Sequence, residues 1–398
     1  MPSRPWHHSK APLGSCTIEP MPDFILIDQP SALEDLIADW TGQPWLGLDT
    51  EFVRERTYHA RLCLIQLASP KGLALIDPIA LGDWRMLFAL LDAPETVKIL
   101  HAAGQDLELF HDARPDRLPA PLFDTQIAAG LLGHPPQTGY AALAQQLLDI
   151  SLPKLHARSD WSRRPLGQSE LAYAADDVRH LAALHDQLSQ SLSDKNRLNW
   201  AQADHAALSD PARYRIEPER AWLRIGAGRM LAPPEQGVVR ALAAWREREA
   251  QARDLPRQWL LKDEVLLRWA EQKPDSVAEL TASTAIGAKM IERHAEAWIT
   301  AIREGAAQPP QAVPPPYPLL PEQERTIKRL GRIVQARASE LGVDRAVLAP
   351  RREIEALVLG ARDGQVLRGW RCEVIGTDLL AALEDEPAGE PHRAQPAN

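Results

Sequence analysis

The sequence predicts an α/β domain, a mixed sheet flanked by helices, followed by two all-α domains. Three observations lead there. Residues 22 to about 195 alternate short apolar runs with amphipathic stretches of helical period. From about residue 237 only the helical period remains. Between two helical stretches lies AAQPPQAVPPPYPLLP (306–321), whose seven prolines exclude a helix and read as a semi-rigid extended linker.

The elements follow in order. FILID (24–28) is a strand. SALEDLIADW (31–40) is a helix with Ser31 as its cap and Glu34 at capping-box spacing. WLGLDTEFV (45–53), LCLIQLA (62–68) and GLALIDP (72–78) are strands, the last two joined by an SPKG turn, and together suit a meander. DWRMLFALLD (83–92) is helical, VKILHA (97–102) is a buried strand, and GQDLELFHDA (104–113) opens a helix. FDTQIAAGLLG (123–133) and YAALAQQLLDI (140–150) are helical, and one long helix runs from about Ser169 to Leu192. The expected organisation is a disordered extension (1–21), the α/β domain (22–205), a connector (206–236), a first helical domain (237–305), the linker (306–321), a second helical domain (322–384) and a disordered tail (385–398). ASELGVDRAVLAPRREIEALVLG (338–360) echoes AQARDLPRQWLLKDEVLLRWA (250–270), which makes the two helical domains related modules.

Composition excludes several classes. With 398 residues, 45% apolar and 25% charged, the chain is an ordinary globular one with room for several cores. A net charge of -9 excludes a wholly basic nucleic-acid binder, although it averages over any single groove. Cys16, Cys63 and Cys372 are scattered, which excludes a disulfide framework or zinc cluster and points to the cytoplasm. No apolar run approaches the roughly 18–20 residues of a membrane span, and the first residues lack the apolar core of a secretory signal. Met21 opens a better-patterned segment, so residues 1–20 read as an extension or as sequence upstream of the native start.

Chemistry concentrates at three places. Alternate residues of a strand point the same way, so Asp49 and Glu51 share one face at the polar end of theirs. Read alone, the pair suits a solvated strand end balanced by Arg54 and Arg56. Asp106 opens a helix after a buried strand, where the macrodipole alone would favour an acid. In LAYAADDVRHLAALHDQL, Tyr173 and Asp177 are four residues apart and meet on one helix face. At about 100° per residue, Asp177 lies roughly 50° from the centre of the apolar stripe and Asp176 roughly 150°, which makes Asp177 the half-buried acid. Four acids together suit hard divalent ions, Mg2+ or Mn2+, and two such ions clamp a scissile phosphate.

LGLDTEFVRERTY, LHAAGQDLELF, FDTQIA and YAADDV closely resemble ribonuclease D, a 3'→5' exoribonuclease family of the DEDD superfamily, in the subgroup with a tyrosine ahead of the last aspartate. SDWSRRPL (159–166) is similar as well, and the resemblance runs from about residue 22 to 383. The helical blocks resemble HRDC domains. The first carries Trp245, Arg246 and RDLP (253–256); the second lacks the Asp-Leu-Pro element and leans on its position. The resemblance implies a ribonuclease H-like fold and trimming of tRNA precursor 3' ends by a cytoplasmic monomer. It implies two metal ions on Asp49, Glu51, Asp106 and Asp177, with Tyr173 orienting or helping to deprotonate the attacking water. A DNA exonuclease of the same chemistry and an RNA-binding protein with a dead nuclease fold are the competing readings. No polymerase domain follows, and all five catalytic positions are filled.

For RNA contacts the candidates are Phe52 and Tyr58, which would stack on a terminal base, and His101 at its strand end. Arg54, Arg56, Arg61, Arg158, Arg163 and Arg164 would meet phosphates. Each also has a plainer reading, surface ion pairing for the arginines and core packing for Phe52 and His101. The helical blocks carry no catalytic constellation. They read as added grip on RNA, removable without loss of the chemistry.

Overall fold

The computed structural model describes residues 23–153, 159–284, 286–308 and 319–384. The expected extension and tail, the centre of the linker and Arg158 lie outside the described residues. The α/β part runs β1 (Phe24–Ile27), α1 (Pro30–Trp40), β2 (Trp45–Val53), β3 (Arg61–Ser69), β4 (Gly72–Ile76), α2 (Pro78–Leu81), α3 (Phe88–Leu91), β5 (Val97–Leu100), α4 (Gly104–Ala113), β6 (Leu122–Asp124), α5 (Thr125–Leu132), α6 (Tyr140–Leu148), α7 (Gln168–Arg179), α8 (Leu181–Asp194) and α9 (Leu198–Leu208). Its six strands lie in the order β1-β4-β3-β2-β5-β6. β2, β3 and β4 form the antiparallel meander, while β1, β5 and β6 each join a neighbour in parallel, so the sheet is mixed.

Four elements differ from the sequence reading. α1 starts at Pro30 with Gln29 as its cap and no capping side chain. Proline's fixed φ suits the first helical position, which leaves Ser31 inside the first turn. Residues 83–92 divide into a 3-10 turn and the short α3. Phe123 and Asp124 belong to β6, a strand too short to show a period. The long helix expected from Ser169 to Leu192 breaks at His180 (φ -106°, ψ 5°), and the apolar stripe carries on across the break, so periodicity could not reveal it.

The sheet buries both faces. On one, Leu46 and Leu48 of β2 pack with Leu107 and Phe110 of α4. On the other, Leu64 of β3 and Leu75 of β4 pack with Leu171, Ala174 and Ala175 of α7. Lys98, fully buried in β5, donates its ammonium to the carbonyls of Ala93, Thr96 and Ala120 at 2.8, 2.7 and 2.5 Å. A buried lysine satisfied this way ties β5 to the loops at its base.

The helical part holds α10 (Pro233–Arg253), α11 (Arg257–Leu260), α12 (Asp263–Gln272), α13 (Val277–Ser283) and α14 (Ala288–Ala307). A second block holds α15 (Pro321–Leu341), α16 (Arg345–Leu348), α17 (Arg351–Val358), α18 (Gly369–Arg371) and α19 (Thr377–Glu384). α10 and α15 are built alike. Each has 21 residues, a proline in its first turn, and a Glu235 or Gln323 side chain accepting from the backbone N–H just before the helix. Each ends on a left-handed residue, Asp254 or Gly342, and leads into a four-residue helix.

The blocks attach differently. The first has its own core around Val238, Trp269 and Trp298. The second shares one continuous core with the α/β part, in which Ile99, Ala128 and Leu184 join Leu330, Leu357 and Trp370. Trp200 stacks on Trp370 at 4.3 Å and 7°. Asp204 takes both arms of Arg371 at 2.6 and 2.9 Å. Arg197 donates to the carbonyls of Leu131 and Leu341, each at 2.6 Å. Gly133, at φ +103°, lies so close that a Cβ there would stand 2.3 Å from the Gly342 oxygen. The second block is therefore not the removable appendage that the sequence suggested.

Trp370→Ala should weaken the α/β part itself by about 3–5 kcal/mol, read as faster amide exchange in β2 and β5. Trp298→Ala, in the separate first core, should leave exchange there at the parental level. Parental exchange in Trp370→Ala would show that the cores are independent.

Candidate active site

The site begins on β2. Leu46, Leu48 and Thr50 face α4, so Gly47, Asp49 and Glu51 face the side covered by α7 and α8. A Cβ on Gly47 would meet the Ala68 Cβ at 3.1 Å, the Val178 oxygen at 3.3 Å and the Leu181 Cδ1 at 3.4 Å. Glycine lets the α7–α8 junction settle directly on the strand, two residues before Asp49 and beside Asp177. Asp106 arrives from the opposite face, in the first turn of α4, and its Oδ1 accepts the Thr50 hydroxyl at 2.5 Å.

Asp124 shapes that arrival. Its buried carboxylate accepts from the N–H groups of Ala102 and Ala103 at 3.3 and 2.8 Å, across the left-handed turn at Ala102. It also caps α5 through Gln126 and Ile127. Together these elements bring Asp49, Glu51, Tyr173 and Asp177 onto one cleft of about 600 Å³, whose wall includes Phe52, Arg54, His101, Tyr140 and Trp161. That volume is of the size that takes a small ligand. Asp106 is buried beside them, and its charge acts on both Asp49 and Glu51.

All four acids are shifted toward their protonated forms. Burial first, then the charges of Asp106, Asp177 and Glu51, raise the Asp49 carboxyl well above its ordinary value. Burial, Asp177 and Asp106 push Glu51 up to about 8. Burial pushes Asp106 to about 7 against the Thr50 hydrogen bond, and Asp177 to about 7 against one from Tyr173. Arg54 does not balance the pair on β2, because it is bound to Glu108 at 2.9 Å. Among the described residues no protein cation pairs with any of the four acids. Oxygen-only donors of this charge suit hard divalent ions. Among the described residues no three such side chains already close on one point at ligand distance. They converge and stand apart, as like charges do.

Asp176 is separate from this cluster. It pairs with Arg179 at 2.7 Å, and its carbonyl accepts from the Tyr140 hydroxyl at 3.0 Å.

The expected RNA contacts divide. Phe52 is half-buried on the cleft wall. His101 also lines the cleft, but its Nδ1 meets the Thr125 hydroxyl at 2.8 Å and its Nε2 the Thr138 carbonyl at 3.0 Å. Burial lowers its pKa, so it is a neutral, satisfied ring. Tyr58 is not available to stack on a base. It is 8% exposed, its hydroxyl donates to Glu247 of α10, and Arg257 lies over its ring at 4.4 Å. Its partner is 189 positions away, beyond any local pattern.

Arg164 is likewise not free for phosphate. It grips Asp77 at 2.6 and 2.8 Å, the carbonyls of Trp161 and Arg163, and the Cys63 carbonyl at 2.6 Å. Glu51 pairs with Leu64 and Phe52 with Leu62, so Cys63 is the extra residue of a β-bulge. Arg164 fastens the segment before α7 to that bulge. Thr50, Tyr140 and Gly47 were also beyond sequence reasoning. Asp124 lies within the FDTQIA string, which was the one available signal for it.

Comparison with known proteins places the chain. A family model described as a 3'-5' exonuclease matches residues 24–193, and an HRDC domain model matches residues 235–302. The ribonuclease D of Gluconacetobacter diazotrophicus is 39% identical, over 90% of this chain and 93% of that one. That of Pseudomonas paraeruginosa is 37% identical, over 91% and 98%. The chain belongs to the ribonuclease D family.

The crystal structure of Escherichia coli RNase D, described as an exoribonuclease involved in structured RNA processing, matches with a TM-score of 0.81 and 31% identity, covering 91% of this chain and 99% of that one. The catalytic core of RRP6 from Trypanosoma brucei shares the fold at a TM-score of 0.56 and 20% identity. As a ribonuclease D family member the chain is a 3'→5' exoribonuclease, a phosphodiester hydrolase, with an exonuclease domain followed by an HRDC domain. Among the described residues no helix is long and apolar enough to cross a membrane.

The raised carboxyls carry a pH signature. In chelator they hold protons in the folded chain that the unfolded chain releases above about pH 4. Their contribution is therefore full below that pH and lost as pH rises through about 7 to 8. Asp177→Asn should raise the thermal midpoint relative to the parent, with a gain near nil at about pH 4 that is complete above about pH 7. A gain independent of pH would contradict the raised carboxyl pKa values.

Proposed function

We propose that this chain trims the 3' ends of tRNA precursors and other structured RNAs, releasing nucleoside 5'-monophosphates with two divalent ions, Mg2+ or Mn2+, held by Asp49, Glu51, Asp106 and Asp177. The observation that carries the reading is a cluster of four carboxylates raised in pKa, Asp49, Glu51 and Asp177 on one cleft and Asp106 buried beside them, with no protein cation paired to any of them among the described residues. The described role of the Escherichia coli relative in structured RNA processing supports the substrate class. When bound, the ions would supply charge that offsets the carboxylates, acidifies a water and stabilises the leaving 3'-oxygen.

The chain's own groups do the rest. Tyr173 shares a hydrogen bond with Asp177, and burial and the surrounding acids push its phenol pKa up. A phenol held protonated at neutral pH donates and positions. This favours orientation of the attacking water over its deprotonation by Tyr173. Phe52, on the cleft wall, offers a face to the terminal base. The matched construction of α10 and α15 supports two HRDC-like modules. We place the enzyme in the cytoplasm as a monomer, with domain bounds as the sequence suggests.

The assay is a 3'-labelled tRNA carrying trailing nucleotides, beside single-stranded DNA, with and without chelator. Asp49→Asn and Asp177→Asn should lose about two to three orders of magnitude in rate, and Tyr173→Phe about 10²-fold or more. Asp176→Asn should stay near the parent. A parental rate in Asp49→Asn, or an inactive Asp176→Asn beside an active Asp177→Asn, would overturn the assignment. Independently of turnover, Mn2+ should raise the thermal midpoint of the parent by mass action and fail to do so in Asp49→Asn.

A further inference from the structure

The arginines around the cleft are of two kinds. Arg54 is bound to Glu108, Arg163 reaches Glu170 at 3.9 Å, and Arg164 is fully occupied. Arg56 and Arg61 are exposed and, among the described residues, neither guanidinium has a carboxylate or carbonyl partner. Both line a second groove of about 510 Å³ between the β2–β3 loop and the turn at 159–162. This groove adjoins the catalytic cleft: Val53, Glu55 and Ser159 line both.

The loop that presents Arg56 is anchored rather than loose. At its base Val53 pairs with Arg61 across the two strands. At its tip Tyr58 is buried against Glu247 and Arg257, and the His59 N–H donates to Asp254 at 2.9 Å. The first helical block thus holds the loop in shape, so little ordering remains to be done when a ligand arrives.

We propose that Arg56 and Arg61 form a backbone subsite that takes the phosphates of RNA nucleotides 5' to the one being removed. The proposal rests on the exoribonuclease reading of the cleft, since a chain whose 3' end enters the cleft must leave through a neighbouring groove. Glu55 and Asp160 also line this groove, and Asp160 is occupied by the backbone and hydroxyl of Ser162. The attraction is therefore two local contacts rather than a broad positive field. Contacts of this kind carry no sequence preference, and a lysine satisfies them as a point charge.

The test is binding of a labelled single-stranded RNA octamer in chelator, across a range of salt. The double variant Arg56→Gln/Arg61→Gln should bind about tenfold more weakly. Its slope of log K against log salt should be shallower by about 1.4, two phosphates at roughly 0.7 each. Arg56→Lys/Arg61→Lys should restore the slope, which a merely misfolded loop would not allow. An unchanged slope, with or without lost affinity, would overturn the subsite. If the parent binds the octamer but releases no mononucleotide when Mg2+ is added, the exoribonuclease reading fails instead, and the slope comparison still decides the subsite.

Discussion

Repulsion among four carboxylates at the end of β2 is the constraint around which the rest of the molecule is arranged. Such a cluster costs free energy in any protein that has no cation to place in it. Here it is held from both sides of the sheet. Thr50 and the Asp124-braced turn fix Asp106 from one face. The contact of Gly47 with the α7–α8 junction fixes Asp177 from the other. Packing thus supplies what electrostatics opposes, and the acids stay together because moving one would unpack a helix.

The helical blocks serve this arrangement in different ways. The second is part of the same core as α5, α8 and α9, and it braces the face of the sheet beneath the α7–α8 junction. The first keeps its own core and reaches the α/β part through Tyr58 and His59. Its contact falls on the loop directly after the Asp49–Glu51 strand. A module with no catalytic group of its own therefore shapes the mouth of the cleft, through a buried tyrosine hydroxyl shared by Glu247, Gln251 and Arg257.

Several elements are legible in the sequence. β2, the meander and α4 follow from apolar runs and turn residues, because each is long enough to show its period and is bounded by breakers. The i, i+4 relation of Tyr173 and Asp177 needed only helix geometry, and so did the choice of Asp177 over Asp176 as the inward acid. What failed locally failed for identifiable reasons. His180 breaks a helix without interrupting its stripe. β6 is three residues long. Pro30 displaced the expected Ser31 cap.

By itself the sequence determined the types and spacing of the acids, the strand and helices that carry them, and the resemblance that joins them into one chemistry. These depend on periodicity and local chemistry, which a linear string preserves. Only the tertiary structure decided which charges are already paired. Arg54, Arg164 and Tyr58 look like ligand contacts in the string, and each is bound to a partner 54, 87 or 189 positions away. Arg56 and Arg61 look the same and, among the described residues, neither guanidinium has a carboxylate or carbonyl partner. Ion pairs and hydrogen bonds are settled by distances in space, and neighbouring residues of one loop can be sent to opposite fates by a partner that no local pattern contains.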